Sequence, residues 1–190
     1  MSGASNRVSN WKRSHMNKIF PLIDQIKDAK LQSLTMQCWE EATRRGGWKK
    51  EDLGKIPFTL LPARQIVSIV VHTNGVSESA VAMAKVLENS YGGVFKINWD
   101  ILFSGGILHD VGKVLEYALE NGSYVKSKTG KLIRHPVSGA ALAWELGLPD
   151  EVIHIIAGHS FEGDKTPRSI EGILVHHADF ANFEALGGKA

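Results

Sequence analysis

The sequence predicts an all-α globule. Apolar residues recur at helical spacing in one segment after another, and Gly- and Pro-containing breaks separate those segments. Only the stretch around residues 123–133 has the look of a small hairpin, because Asn121-Gly122-Ser123 and Lys128-Thr129-Gly130-Lys131 bracket Tyr124-Val125-Lys126. A chain of 190 residues is long enough to bury about two thirds of its unfolded surface.

Taken in order, residues 1 to 16 are polar and unpatterned, a leader that includes His15. From Phe20 to Arg45 a stripe of Leu22, Ile23, Ile26, Leu31, Leu34, Met36 and Trp39 predicts a helix that Gly46-Gly47 ends. Gly54, Pro57 and Pro62 mark Lys49 to Pro62 as a connecting loop. Pro62 suits the first turn of a helix running through His72 toward Leu87, which Asn74-Gly75 is able to break in two and Gly92-Gly93 stops. Trp99 to Leu119 reads as one helix. Further helices are expected at Pro136–Leu146, Asp150–His159 and Ser169–Ala185, with Gly147-Leu148-Pro149-Asp150 a clean break. Residues 1–60 read as leader and helical appendage, and 61–190 as the main domain.

Composition narrows the function classes. The formal charge of +2 is too small, and its basic residues too scattered, to suggest nucleic-acid binding. No apolar stretch approaches the roughly 20 residues of a membrane span, and the N-terminus lacks the apolar core of a secretory signal. The expectation is a soluble cytoplasmic protein. Cys38 is the single cysteine, which leaves nitrogen and oxygen as the available metal ligands, a set suited to Fe, Mn, Co, Ni or Zn.

The chemistry centres on His109-Asp110, set in the apolar run Ile107-Leu108-His109-Asp110-Val111-Gly112-Lys113. Burying an adjacent imidazole and carboxylate costs several kcal/mol unless strong partners compensate, so the pair reads as half of a metal site. His72, His135, His159 and Asp179 lie in or beside other apolar helical segments and supply candidates for the rest. Gly112 keeps the surface beside the pair small, and Lys113 stands one turn beyond Asp110.

The ordered series His72, His109-Asp110, His135, His159, Asp179 resembles that of the HD-domain superfamily of metal-dependent phosphohydrolases, and Ile107 to Lys113 is similar to its signature segment. The resemblance covers roughly residues 65 to 185. It implies an HD-type helical bundle holding one or two divalent transition metal ions. His72, His109, Asp110 and Asp179 would surround one ion, and Asp110, His135 and His159 the other; the division is carried over from dinuclear members. Asp110 is the catalytic carboxylate of that arrangement, and Lys113 at the metal edge could neutralise charge developing on phosphate oxygens, with a snorkelling surface lysine as its alternative. Arg134, Lys165 and Arg168 are candidate phosphate contacts, with a surface role as their alternative. His176 or His177 could replace Asp179 or orient it; Asp179 is chosen because the resemblance places an aspartate there. His154 is expected to be structural or exposed.

The implied reaction is hydrolysis of a phosphomonoester or phosphodiester, with a nucleotide as the candidate substrate, by metal-activated water. Two alternatives share the ligands: a mixed-valent di-iron oxygenase of the HD type, and a metal-containing regulatory or ligand-binding domain. The Gly-Tyr-Pro triplet of the HD-GYP subgroup is absent, so cyclic dinucleotide hydrolysis is not expected. The region is also similar to the HD part of a bacterial exoribonuclease, but RNA cleavage ranks below a small phosphorylated substrate because residues 1–60 read as helix and loop.

Overall fold

The helix predicted from Phe20 to Arg45 is two elements, because Asp100 and Asp28 intervene. In the computed structural model, which describes residues 16–188, residues 16–19 are helical and Pro21–Gln25 form a 3-10 turn. The Asp100 carboxylate then accepts the N–H groups of Lys27 (2.8 Å) and Asp28 (2.9 Å), withdrawing them from a helix. Asp28 in turn caps α1 (Ala29–Arg45), its side chain accepting from the Lys30 and Leu31 amides. Gly46 closes α1 and Gly47 turns the chain at φ +76°, as the Gly pair suggested. Of the predicted leader, residues 1–15, His15 included, lie outside the described residues.

Pro62 does not start the next helix. That role falls to Ser68, whose Oγ accepts the Val71 N–H at 3.3 Å and caps α2 (Ile69–Tyr91). Asn74-Gly75 leaves α2 unbroken. Asn74 donates to the Ile19 carbonyl at 2.8 Å, and a Cβ at Gly75 would stand 3.1 Å from Asn182 Oδ1, so the glycine serves close packing instead of a break.

The core is organised around α3 (Trp99–Leu108), whose buried residues run from Ile101 to Leu108 with few interruptions. Gly105 and Gly106 let the neighbours approach: added Cβ atoms there would meet Ile155 at 2.5 Å and Ser77 at 3.1 Å. On the other side Trp39 Nε1 donates to the Ile107 carbonyl (3.0 Å) and Thr35 Oγ1 bonds Ser104 Oγ (2.8 Å), so α1 joins the same hydrophobic core as the segments that follow.

The expected single helix from Trp99 to Leu119 ends at Leu108. Residues 109–112 form a turn, α4 (Lys113–Glu116) adds one helical turn, and the chain enters β1 (Tyr117–Glu120), antiparallel to β2 (Ser123–Lys126). The two-residue turn Asn121-Gly122 has φ of 51° and 78°, the left-handed pair favoured in tight hairpins. The hairpin therefore begins earlier than the 123–133 expected, because Asn-Gly is its apex and not its border. Three helices follow near their predicted places: α5 (His135–Glu145), α6 (Asp150–Gly158) and α7 (Ile170–Ala185), the last capped by Ser169 Oγ. α7 packs along α2 and α6 against α3.

Candidate metal centre

Five of the six predicted ligands come from the end or first turn of a helix and Asp179 from the middle of α7, and the packing around α3 brings them to one spot. His72 lies in the first turn of α2, His109 and Asp110 in the turn that ends α3, His135 opens α5, His159 follows α6, and Asp179 is on α7. The arrangement is ordered by Asp110. Its Oδ2 is 3.4 Å from His72 Nε2 and 3.5 Å from His109 Nε2, whereas its Oδ1 is 3.3 Å from His135 Nε2 and 3.6 Å from His159 Nε2. Asp179 Oδ1 joins the first pair, 2.9 Å from His72 Nε2 and 3.9 Å from His109 Nε2. Two ligand groups thus share one carboxylate: His72, His109, Asp110 and Asp179, and Asp110, His135 and His159.

The donor atoms fit metal ions better than they fit one another. His109 Nε2, His159 Nε2 and both Asp110 oxygens are buried without a hydrogen-bond partner among the described residues, a costly arrangement for a core that holds nothing there. Ligand atoms about 2.1 Å from an ion, at tetrahedral or octahedral angles, stand about 3.0–3.4 Å apart, close to the 3.3–3.6 Å separations around Asp110. The opposite ring nitrogens are committed as well: His109 Nδ1 donates to the Gly106 carbonyl (2.6 Å), and His159 Nδ1 to that of Ile156 (2.8 Å). A carbonyl only accepts, so Nδ1 carries the proton and Nε2 keeps its lone pair for an ion.

His135 is held differently. The Glu116 carboxylate accepts both the His135 backbone N–H (2.7 Å) and its Nδ1–H (3.0 Å) through one oxygen, and its other oxygen is 3.2 Å from Lys126 Nζ. Glu116 was not singled out in the sequence. Its place three residues beyond Lys113 on one helical turn is a faint signal, and only the fold brings it to His135. Burial pushes His135 down to about 4, so the ring is neutral; burial opposes charge on Glu116 too, but its bonds to the His135 ring and backbone and to Lys126 together hold it down at about 2. A neutral Nδ1–H facing a carboxylate leaves Nε2 free, as metal binding requires.

Lys113 Nζ is 2.6 Å from Asp110 Oδ2, an ion contact without hydrogen-bond geometry. Burial opposes charge on Asp110, yet Lys113 and His109 override it and hold the carboxyl well below the usual range. Asp179 is also held low against its burial, chiefly by the bond to His72.

A cavity of about 130 Å³ opens beside the cluster, touching Lys113, His135 and Asp179. Lys126 and Arg134 add cationic edges, and Tyr117, Phe161, Phe180 and Phe183 give it an aromatic wall. Arg134 lies over the Phe161 ring, 5.7 Å from its centroid, and pairs with Glu162 at 2.8 Å. Leu61, Tyr117, Phe161 and Phe180 are wall residues, while Phe58 is fully buried against His72 and Tyr124 lies against Trp48. Arg168 does not reach the cavity. Its guanidinium donates to the Gly158 and Ser160 carbonyls at 2.7 and 3.1 Å and to Asp164, so it braces the loop after His159. Lys165 is exposed and away from the cavity lining. His176 Nδ1 donates to the His159 carbonyl, His177 is exposed, and His154 Nε2 accepts the Ser169 N–H.

The family model of the HD domain matches residues 69–180, more than half of the chain and the span that contains all six clustered residues. The chain belongs to the HD-domain family. It is 32% identical over 177 residues to a dihydroneopterin 2',3'-cyclic phosphate phosphodiesterase of Methanocaldococcus jannaschii, an alignment covering 88% of this chain and 68% of that one. It is also similar to ribonuclease Y of Desulfotalea psychrophila (35% over 74 residues, 39% of this chain) and of Pseudothermotoga lettingae (28% over 137 residues, 72% of this chain). In those two the match spans only 12% and 22% of the relative. No solved structure matches the chain. Family membership and the paired ligand groups make this protein a metal-dependent phosphohydrolase that binds divalent metal. No helix among the described residues is long and apolar enough to cross a membrane.

Proposed function

We propose that this HD protein is a dinuclear phosphodiesterase for a small phosphate ester bearing a planar, nucleotide-like ring. The observation that carries the reading is the division of four histidines between the two oxygens of Asp110, next to a cavity edged by Lys113, Lys126 and Arg134. His72, His109, Asp110 and Asp179 would hold one divalent ion, and Asp110, His135 and His159 the other, with Fe, Mn, Co, Ni or Zn suited to these donors. Two such ions supply a nucleophile at neutral pH and a clamp for phosphoryl oxygens.

The chain's own groups do the rest. Lys113 places an ammonium at the junction of cluster and cavity, where negative charge grows on the phosphoryl oxygens. Arg134 offers a planar fork suited to a phosphate, steadied by Glu162 and the Phe161 ring. Phe161 and Phe180, in edge contact at 5.7 Å, present an apolar surface for a ring. Residues 61–190 would form the catalytic domain, with 1–60 an appendage whose helix α1 buttresses α3.

Small substrates are favoured over RNA because the relative matched along most of its length acts on a pterin cyclic phosphate. A dihydroneopterin or nucleoside 2',3'-cyclic phosphate is the proposed substrate class. The test is phosphate-ester hydrolysis by protein reconstituted with Mn, Co, Ni, Zn or anaerobic Fe, on 2',3'-cyclic phosphates, phosphomonoesters and an RNA oligomer. Metal-dependent turnover of the cyclic phosphates is expected. Turnover of none of them with any metal would sink the proposal, and preference for the oligomer would overturn the substrate class.

A further inference from the structure

Among the four histidines, His135 is the one whose Nδ1 is held by a side chain; His72 Nδ1 has no hydrogen-bond partner among the described residues. His109 and His159 are each oriented by a main-chain carbonyl, part of a rigid helix end. His135 instead takes its orientation from a side chain, Glu116, which accepts from both its backbone and its ring. Glu116 is 3% exposed, and its second oxygen is held by Lys126, whose side chain is 45% exposed on the cavity wall. The chain just after the hairpin also ties to the main chain of Glu116: the Ser127 N–H donates to the Glu116 backbone carbonyl at 2.8 Å.

We propose that Glu116 and Lys126 are positioning residues for one half of the centre only, so that the hairpin sets the affinity of the ion held by Asp110, His135 and His159 and leaves the other ion untouched. The proposal rests on the dinuclear reading above. None of the polar contacts of His72, His109 or Asp179 given by the structure involves Glu116 or Lys126. The two halves are therefore unequal by construction. One half rests on His109, held by a main-chain carbonyl, and on His72 and Asp179, which bond each other; in the other, His135 depends on a relay from Lys126 to Glu116 that starts at a cavity-lining ammonium. An anionic group entering the cavity would meet Lys126 and draw on the same ammonium that steadies Glu116, which couples occupancy of the cavity to the second ion.

The test is a calorimetric Mn(II) titration of the metal-free full chain and its variants, with His135→Ala used to assign which binding step belongs to this half. Wild type binds two ions. Glu116→Gln is expected to weaken that step by about 10–100-fold, the usual loss when a partner of a metal-bound histidine is altered, and to leave the other step unchanged. Lys126→Met, at an exposed position that does not endanger folding, should weaken the same step by less, and Lys126→Arg should restore it. If both steps weaken together, if the other step weakens, or if neither changes in Glu116→Gln and Lys126→Met, the proposal is overturned. Binding of a single ion by wild type would remove the dinuclear reading and this inference with it, which separates the two failures.

Discussion

Gly112 sits between the His109-Asp110 pair and Lys113, and its replacement by alanine tests whether backbone proximity builds the centre. A Cβ at Gly112 would lie 2.1 Å from the carbonyl oxygen of His135 and 2.8 Å from the Gly139 amide nitrogen. Both are main-chain atoms of α5, which cannot rotate away as a side chain would. Ordinary contact begins at 3.4 Å, so α5 must retreat by more than 1 Å and carry His135 with it. Overpacking of this kind costs about 1–3 kcal/mol, and at about 2–4 °C per kcal/mol for a chain of this size Tm should fall by roughly 2–12 °C. A displacement near 1 Å at a reacting centre costs up to about 100-fold in rate. Gly112→Ala should therefore lose at least about tenfold in kcat/KM, measured by cyclic phosphate hydrolysis beside a thermal melt. Gly54→Ala, whose Cβ would meet nothing within 4 Å, is the control and should match wild type. A Gly112→Ala protein with unchanged melting and unchanged turnover would refute the claim that this glycine sets the distance between turn and helix.

Three further outcomes are expected. Asp110→Asn removes the charge shared by both ligand groups, so metal analysis after dialysis should find both ions depleted together; retention of one at wild-type affinity would show that Asp110 does not serve both. Ser68→Ala removes the cap of the helix that carries His72 and should lower stability by about 0.5–2 kcal/mol in urea, with metal stoichiometry preserved. Cys38 is fully buried and its thiol is pushed up to about 12 by burial, so a thiol reagent at pH 8 should label it only as fast as the protein unfolds; rapid labelling of the native state would contradict the burial.

The sequence alone singled out the six residues that the fold clusters, because apolar helical segments that each carry one unexplained imidazole or carboxylate have few structural uses for it. It also determined the helical class, the Gly and Pro stops, and the small space needed at Gly112. Of the boundaries that failed, the start of α2 was decided by a local cap at Ser68 and the hairpin by its own Asn-Gly turn, and one was decided by a long-range partner. Asp100 captured the amides of Lys27 and Asp28, a bond across more than seventy residues that no local pattern encodes. Asn121-Gly122 drew Tyr117–Glu120 into a hairpin although the run from Trp99 keeps a helical look. The division of the histidines between the two oxygens of Asp110 is tertiary as well, since it depends on how α2, α6 and α7 approach α3 and how α5 packs on α6 and α4. So is Glu116, a carboxylate unremarked in its own segment that becomes the partner of a ligand nineteen residues away. Residue type and spacing limit which atoms can bind an ion; only packing decides which of them face the same ion, because that choice is made by distances between elements and not along the chain.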